Sequence, residues 1–339
     1  MRAVTINAPG KIAVSTVRDP TPSARQVVVE VEAVGICGTD LHILDGEFQL
    51  TSYPIIPGHE FAGTVVAVGS EVTALAAGDR VAVDPSLCCG DCRFCAAGRG
   101  NLCERWNAIG ITTPGACAQY TAVPAVNCHL LPEQVSLEHA ALVEPLSCAL
   151  YGFDLLPGRI GENYLIYGAG TMGLMMAQLA RRAGAASVSV VDPNSDRLAV
   201  ADKLGVDLVA TRAGGLNRPE GWEVVIDCTG AVAAIEDGLR SVRRGGTFLM
   251  SGVAAPDATA SFSPYRIHHD EITIFGRMAV LHSFARAIEL MATGAIEPAA
   301  MISHDFPLDQ YPSALDMFRA GRGRKVHIRP SASARQLDG

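Results

Sequence analysis

No stretch of about eighteen apolar residues occurs in this 339-residue chain, so no transmembrane helix is expected. The opening residues, MRAVTINAPG, lack the basic-then-apolar order of an export signal, which predicts a cytoplasmic protein. No basic stripe is present, and 35 acidic against 27 basic residues leave a net charge of −8. Neither nucleic acid nor a membrane is therefore the expected partner. No internal repeat with a period of about 20 to 50 residues is visible, which sets repeat architectures aside. Helical text is also scarce before Glu138. What remains is ample: 49% hydrophobic and 18% charged residues can bury sizeable cores, and the length suggests two of them. Only the tail after Pro330, SASARQLDG, has a loose composition that predicts disorder.

The first third reads as short strands with turns. β-Branched runs at Ala3 to Ile6, Ile12 to Val17 and Val27 to Glu32 are punctuated by Pro, Gly and Asp. Phe61 to Val68 and Arg80 to Val83 continue the pattern, which predicts an irregular, distorted barrel. Chemistry concentrates between Val34 and Glu60, where Cys37, Thr39, Asp40, His42, His59 and Glu60 fall within one short stretch. A catalytic zinc takes three protein ligands of sulfur, nitrogen or carboxylate type and keeps one position open. Cys37 and His59 fit as two ligands, with an acid as the third.

Five of the ten cysteines crowd into sixteen positions, which suits metal binding in a reducing cytosol better than a disulfide framework. Cys89, Cys92, Cys95 and Cys103 follow C-x2-C-x2-C-x7-C, and four thiolates at that spacing can wrap one tetrahedral, structural zinc. Iron–sulfur ligation is the competing use of four thiols. Cys88 breaks the spacing and is left out. Cys117, Cys128 and His129 have no ligand-spaced partners. The text from Leu137 onward is helical, with Pro145 interrupting it. Glu144 is an acid in an apolar stretch, so it either faces solvent or meets a metal or a base.

An α/β unit follows. Asn163 to Tyr167 is a strand, GAGTMG a turn, Leu174 to Arg182 a helix and Ser187 to Val191 the next strand. Gly168, Gly170 and Gly173 thus satisfy G-x-G-x-x-G in strand–turn–helix context, with Thr171 and Met172 inside the turn. The first glycine makes the tight turn, the second admits a pyrophosphate and the third lets helix and strand pack. Asp192, at the end of the second strand, would accept bonds from the adenosine ribose and repel a 2′-phosphate, favouring NAD. Arg197 nearby could tolerate a phosphate, but NAD is the preferred reading. Strands at Leu208 to Ala210, Val224 to Cys228, Thr247 to Val253 and Ile272 to Phe275, with a helix from Ala231 to Arg243, complete a doubly wound parallel sheet. Thr229, Gly252 and Val253 fall at strand ends, where such sheets bind ligands. A helix after His282, a strand around Met301 to Leu308, a helix from Tyr311 to Arg319 and a strand at Lys325 to Pro330 then return the chain to the barrel.

Together, Cys37-Gly38-Thr39-Asp40-x-His42, Gly58-His59-Glu60, the four-cysteine lobe, Glu144-Pro145-Leu146-Ser147 and Gly168 to Gly173 resemble the medium-chain, zinc-dependent alcohol and polyol dehydrogenases. The likeness runs from about Met1 to Pro330. It implies a GroES-like catalytic domain over residues 1–146 and 279–339, with a structural zinc lobe at about 88–104. It also implies a Rossmann NAD-binding domain over 147–278. By that resemblance Cys37 and His59 are ligands of a catalytic zinc, Glu60 an adjacent or exchanging ligand, and Thr39 and His42 a proton relay. The Glu-Pro-Leu-Ser wording looks like the sorbitol and threonine dehydrogenase branches, where a glutamate matching Glu144 ligates zinc directly or through water. Cys148 is the rival ligand. Ile43 stands where sorbitol dehydrogenases commonly carry tyrosine, so their substrate contacts do not carry over. The expected reaction is NAD-dependent oxidation of a secondary alcohol on a polyol, with an amino alcohol such as threonine or a polyol phosphate as alternatives. A homodimer or homotetramer is expected, built on the strands around Thr247 to Phe275. A non-catalytic cofactor-binding protein of this fold would be free to lose Cys37, His59 or Thr39, and all three are present.

Overall fold

The computed structural model describes residues 1–331, so nearly all of the tail expected to be disordered lies outside the described residues. The chain divides into two compact units. The first takes Met1–Ser147, Ala279–Gly294 and the residues from Ile302 on; the second takes Cys148–Met278 and Ala295–Met301. The short Ala295–Met301 segment joins the second unit because it satisfies groups there. Ala295 O accepts from Arg182 Nε at 3.0 Å, and Glu297 N donates to the buried Gln178 Oε1 at 2.8 Å.

The first unit is organised around the strand Gln26–Gly35. It pairs antiparallel with Glu60–Val68, with Tyr120–Pro124 at its start and with Lys325–Arg329 at its end. Its QVVVEVEAVG text buries Val27, Val28, Val29, Val31, Ala33 and Val34, and bulges after Val28 and Val31 bend the sheet so that it curls around that core. Phe61, Tyr311, Val326 and Ile328 fill the same core. The register explains how distant residues meet. Gly35 pairs with Glu60 on one side and with His327 on the other. Cys37, just past the end of one strand, therefore lies beside His59, just before the next, and beside Lys325 at the start of the third.

Sequence reasoning missed the helix Gly38–Asp45. The thiol of Cys37 accepts from the Asp40 amide and the Asp40 carboxylate accepts from Cys37 N at 2.8 Å, a capping box built on sulfur; Gly46 at φ +78° ends the helix. The helical text after Leu137 is two helices, Leu137–Ala140 and Val143–Asp154. Pro145 does not interrupt the second. It sits in its first turn, where no N–H is needed.

The second unit holds a six-stranded parallel sheet in the order Leu208–Ala210, Ser187–Val191, Asn163–Tyr167, Trp222–Asp227, Val242–Met250, Thr273–Gly276. NYLIY and SVSVV are short apolar runs, nearly every residue of which is buried, as a sheet covered on both faces requires. The chain order reverses between Asn163–Tyr167 and Trp222–Asp227, which makes their carboxyl ends the switch point for a ligand. The fifth strand starts five residues before the expected Thr247 and stops at Met250 rather than Val253. Ser251 and Gly252 both turn their amides onto Asp227 O at 2.9 Å, which ends the ladder there.

Candidate functional site

Donor atoms of Cys37, His59 and Glu60 lie within 4.8 Å of one another. His59 and Glu60 are buried, and Cys37 is partly exposed, so the group opens on the thiol side. Beneath it, Asp40 Oδ1 and His59 Nδ1 face each other at 3.9 Å, beyond hydrogen-bond range, both buried and neither with a hydrogen-bond partner among the described residues. An imidazole whose Nδ1 faces a carboxylate presents Nε2 outward, the usual support for a metal-binding histidine. Burial alone would lower the His59 pKa. The hydrogen bond and charge of Cys37, with Asp40 and Glu144, more than offset it and hold it at about 10. Burial likewise pushes the Asp40 carboxyl up, against the pull of His59. The field at this point thus favours positive charge, and a divalent cation suits the same donors.

Lys325 was not foreseen. Its Nζ is ion-paired with Glu60 and donates to Ile36 O at 3.0 Å, and it is 4% exposed. Burial lowers its pKa, but Glu60, Cys37 and Glu144 together raise it above its ordinary value, so it stays charged. Gly35 makes room: a Cβ there would stand 2.4 Å from Glu60 Oε2. Glu144 is not within the three-residue donor set, although its charge reaches both His59 and Lys325. Its helix is pinned one turn further on, where the fully buried Ser147 and Ser283 hydroxyls meet at 2.8 Å and Ser283 Oγ also donates to Ser147 O. Cys148 is buried and outside the donor set.

Thr39 Oγ1 lies 3.8 Å from Cys37 Sγ, and His42 is three residues on along the same helix face. The half-exposed His42 ring is held by Glu47 Oε2 at 2.6 Å, a partner the sequence motif did not reveal.

The four expected lobe cysteines converge. Cys89–Cys95, Cys92–Cys103 and Cys89–Cys103 sulfurs stand 3.9, 3.9 and 3.4 Å apart. A tetrahedron with Zn–S of about 2.3 Å has edges of about 3.8 Å, so the cage has the size of a zinc site. Amides of Cys89 and Arg105 donate to Cys103 Sγ at 3.3 Å, and amides of Cys95 and Glu104 lower the Cys92 thiol, all of which favours thiolate. Cys88 stays outside the cage and is exposed. The lobe touches the rest of its unit through His282 Nε2 at 2.8 Å from Gly98 O.

In the second unit the glycine turn has the form its sequence demands. Gly168 sits at φ +98°, and a Cβ on Gly173 would lie 1.7 Å from Gly168 O. A Cβ on Gly170 would meet nothing within 4 Å. Gly170 starts the helix Thr171–Arg182 without a side-chain cap, so open space and free amides coincide, as an incoming pyrophosphate requires. Met172 lies on the first turn of that helix. Asp192 is buried, accepting from Ala169 N and Asn194 N at 2.8 Å each, with Arg197 at 3.9 Å. Thr229 is turned inward: its Oγ1 donates to Asp227 at 2.6 Å. That fully buried Asp227 also holds the amides of Thr229 and Gly230, and it would clash with any Cβ on Gly252, so it organises this edge. Only its place before a Cys-Thr-Gly turn could have signalled it. Val253 is 73% exposed.

Comparison with known proteins agrees with this geometry. Residues 23–133 match the alcohol dehydrogenase GroES-like domain and residues 171–293 match the zinc-binding dehydrogenase domain. The chain is 36% identical to D-arabinitol dehydrogenase 1 of Uromyces fabae over 317 residues, 90% of each chain. It is 36% identical to the L-threonine 3-dehydrogenase of Saccharopolyspora erythraea over 340 residues, 96% of this chain and 98% of the other. A solved structure from Sinorhizobium meliloti 1021, described as a candidate zinc-binding dehydrogenase and bound to NADP, superposes with a TM-score of 0.92 at 36% identity, covering 97% and 99% of the two chains. No helix among the described residues is long and apolar enough to cross a membrane. The chain belongs to the zinc-dependent medium-chain alcohol and polyol dehydrogenases, GroES-like domain and Rossmann domain included, and is an oxidoreductase that works with zinc and a nicotinamide dinucleotide.

Proposed function

We propose that the chain oxidises a secondary alcohol of a polyol, passes the hydride to NAD and releases a ketose or ketone. The observation that carries this reading is the Cys37, His59 and Glu60 donor set, gathered within 4.8 Å in a field that favours a cation. Those three and Glu144 are the groups that would hold the catalytic zinc; Cys89, Cys92, Cys95 and Cys103 would hold the structural one. Bound there, zinc would supply Lewis acidity toward a substrate hydroxyl and a nicotinamide dinucleotide would supply the hydride acceptor. The chain's own residues do the rest. Thr39 takes the hydroxyl proton, and His42, steadied by Glu47, delivers it to water. Asp40 fixes the His59 ring, and Lys325 holds Glu60 in place through their buried ion pair. The Gly168 to Gly173 turn cradles the pyrophosphate, and Thr229, Gly252 and Val253 border the same edge.

NAD is favoured over NADP because the Asp192 carboxylate is already anchored by two amides where a 2′-phosphate would need to sit, and Arg197 is engaged with it. Ten free thiols suit a reducing cytosol. A homodimer or homotetramer fits the edge position of Thr273–Gly276 and the exposure of the nearby Phe262 and Tyr265. The second reading, a threonine 3-dehydrogenase-like enzyme, draws on the 36% identity to such an enzyme along 96% of this chain.

A panel of sorbitol, xylitol, arabitol, inositols and L-threonine with NAD and with NADP, followed by nicotinamide absorbance, tests both. Turnover of threonine with no polyol turned over would replace the first reading by the second. No turnover of any alcohol by zinc-replete protein would remove both.

A further inference from the structure

Arg277 directly follows the last strand of the parallel sheet, so its side chain starts at the carboxyl edge. Its Nε donates to Ser251 Oγ at 2.9 Å. Its Nη2 donates to Ser251 O at 3.2 Å and lies 3.8 Å from Met172 Sδ. Ser251 is buried just past the fifth strand, and Met172 belongs to the glycine turn. The guanidinium is therefore fixed among residues that border the dinucleotide edge, and its charge reaches the thiol of Cys228 at the end of the fourth strand.

What it lacks is a counter-ion. Several other arginines of this unit face carboxylates: Arg243 on Glu223 at 2.8 Å, Arg244 on Asp270 at 3.1 Å, Arg181 on Asp207 at 3.1 Å. Among the described residues no carboxylate lies within ion-pair distance of Arg277, and its Nη1 has no protein partner. Arg277 is partly exposed and none of its nitrogens is a buried unpartnered atom, so the unused edge is open to an incoming ligand. The neutral contacts position the planar fork and leave one edge of it unused, the geometry that receives an oxyanion.

We propose that Arg277 is an anion-holding residue whose free Nη1 edge takes a phosphate or carboxylate oxygen, brought to this edge by the dinucleotide or by the substrate. The inference rests on the dinucleotide-binding reading of the edge, and not on which alcohol is oxidised.

The experiment uses full-length, zinc-replete protein carrying Arg277→Gln or Arg277→Lys. NADH affinity is read by fluorescence titration, and KM is read for a polyol, its monophosphate and its aldonate. Loss of one charge-assisted bond weakens binding by about tenfold to a hundredfold. Arg277→Gln is expected to raise either the NADH Kd or the KM of the anionic polyols by that much, Arg277→Lys by less, and added salt should shrink the difference. A change in NADH Kd assigns the anion to the cofactor; a change confined to the monophosphate or aldonate assigns it to the substrate. If every Kd and KM stays within about twofold of the parent, the proposal is overturned. Should the Gln variant fail to fold, Arg277→Lys and Ser251→Ala carry the test, since each loosens the fork and keeps a cation. A parent that binds NADH but oxidises no alcohol sinks the substrate reading and leaves the cofactor arm standing.

Discussion

The two metal-binding groups of the first unit are built on opposite principles. The four-cysteine lobe comes from one short loop, its donors are all sulfur, and its surroundings are exposed pairs such as Arg93–Glu104 and Arg105–Asp91. The Cys37, His59 and Glu60 group comes from the ends of neighbouring strands, and a buried cation and two further acids stand behind it. The lobe needs only its own loop to be correct. The second group needs the whole barrel in register, and its donors are held by charge as much as by packing.

The sharpest way to break that contrast is to remove one donor from each. His59→Ala takes away a nitrogen ligand and the cation-favouring field with it. It should lower kcat/KM about a thousandfold, the several kcal/mol that a Lewis acid supplies, while zinc analysis still finds the lobe's ion. Cys92→Ser should do the reverse: the lobe loses its zinc, and the donor set at His59 keeps its own. Loss of both ions in either variant would show that the two groups are not independent.

Next in size is Lys325→Met. Where no zinc is bound, removing one partner of this buried ion pair costs about 3–5 kcal/mol. Denaturant unfolding of protein stripped of the zinc that would otherwise compensate Glu60 should show it as a lower midpoint. An unchanged midpoint would mean that Glu60 finds a different partner and that the group is less dependent on charge than its burial indicates. A smaller effect is expected from Asp40→Asn, which keeps the shape behind His59 and removes the carboxylate. Catalytic zinc affinity should fall about tenfold to a hundredfold, read by competition with a chelator, and lobe zinc should be untouched.

The same contrast explains what the sequence revealed. Lobe donors are close in sequence, so spacing alone identifies them, and the glycine turn is legible for the same reason. The strand text of the barrel was also readable, because β-branched runs such as VVV and FAGTVVAV favour strands, although Val66 and Val68 at the end of the second run are exposed. Lys325 and Glu47 were invisible as site residues, and Asp40 was legible in the motif without its place behind His59, since nothing in a linear reading tells that Gly35 pairs with Glu60 and with His327 at once. The Gly38–Asp45 helix escaped because its cap is a thiol, a poor capping residue by propensity. Glu144 was readable as an anomaly, an acid in apolar text, and its charge reaches His59 and Lys325 from beside the three-residue donor set.

His327 gives the finest test, because it sits two residues from Lys325 on the same face of one strand and meets the opposite fate. It is fully buried with neither ring nitrogen bonded among the described residues, and burial first, then Lys325, Arg329 and His139, push its pKa down to about 3. A histidine whose folded pKa lies below its unfolded value of about 6.5 binds its proton more readily when unfolded. Its contribution to stability is therefore intact above about pH 6.5 and is lost progressively as the pH falls toward 3, by at most about 1.4 kcal/mol per unit. His327→Leu, which fills the same space without a titrating group, should flatten the acid limb of the stability curve in that window and leave the neutral limb unchanged. Identical acid limbs in parent and variant would mean that the ring reaches water or a carboxylate, and that the cationic row on this strand does not extend its field beyond Lys325.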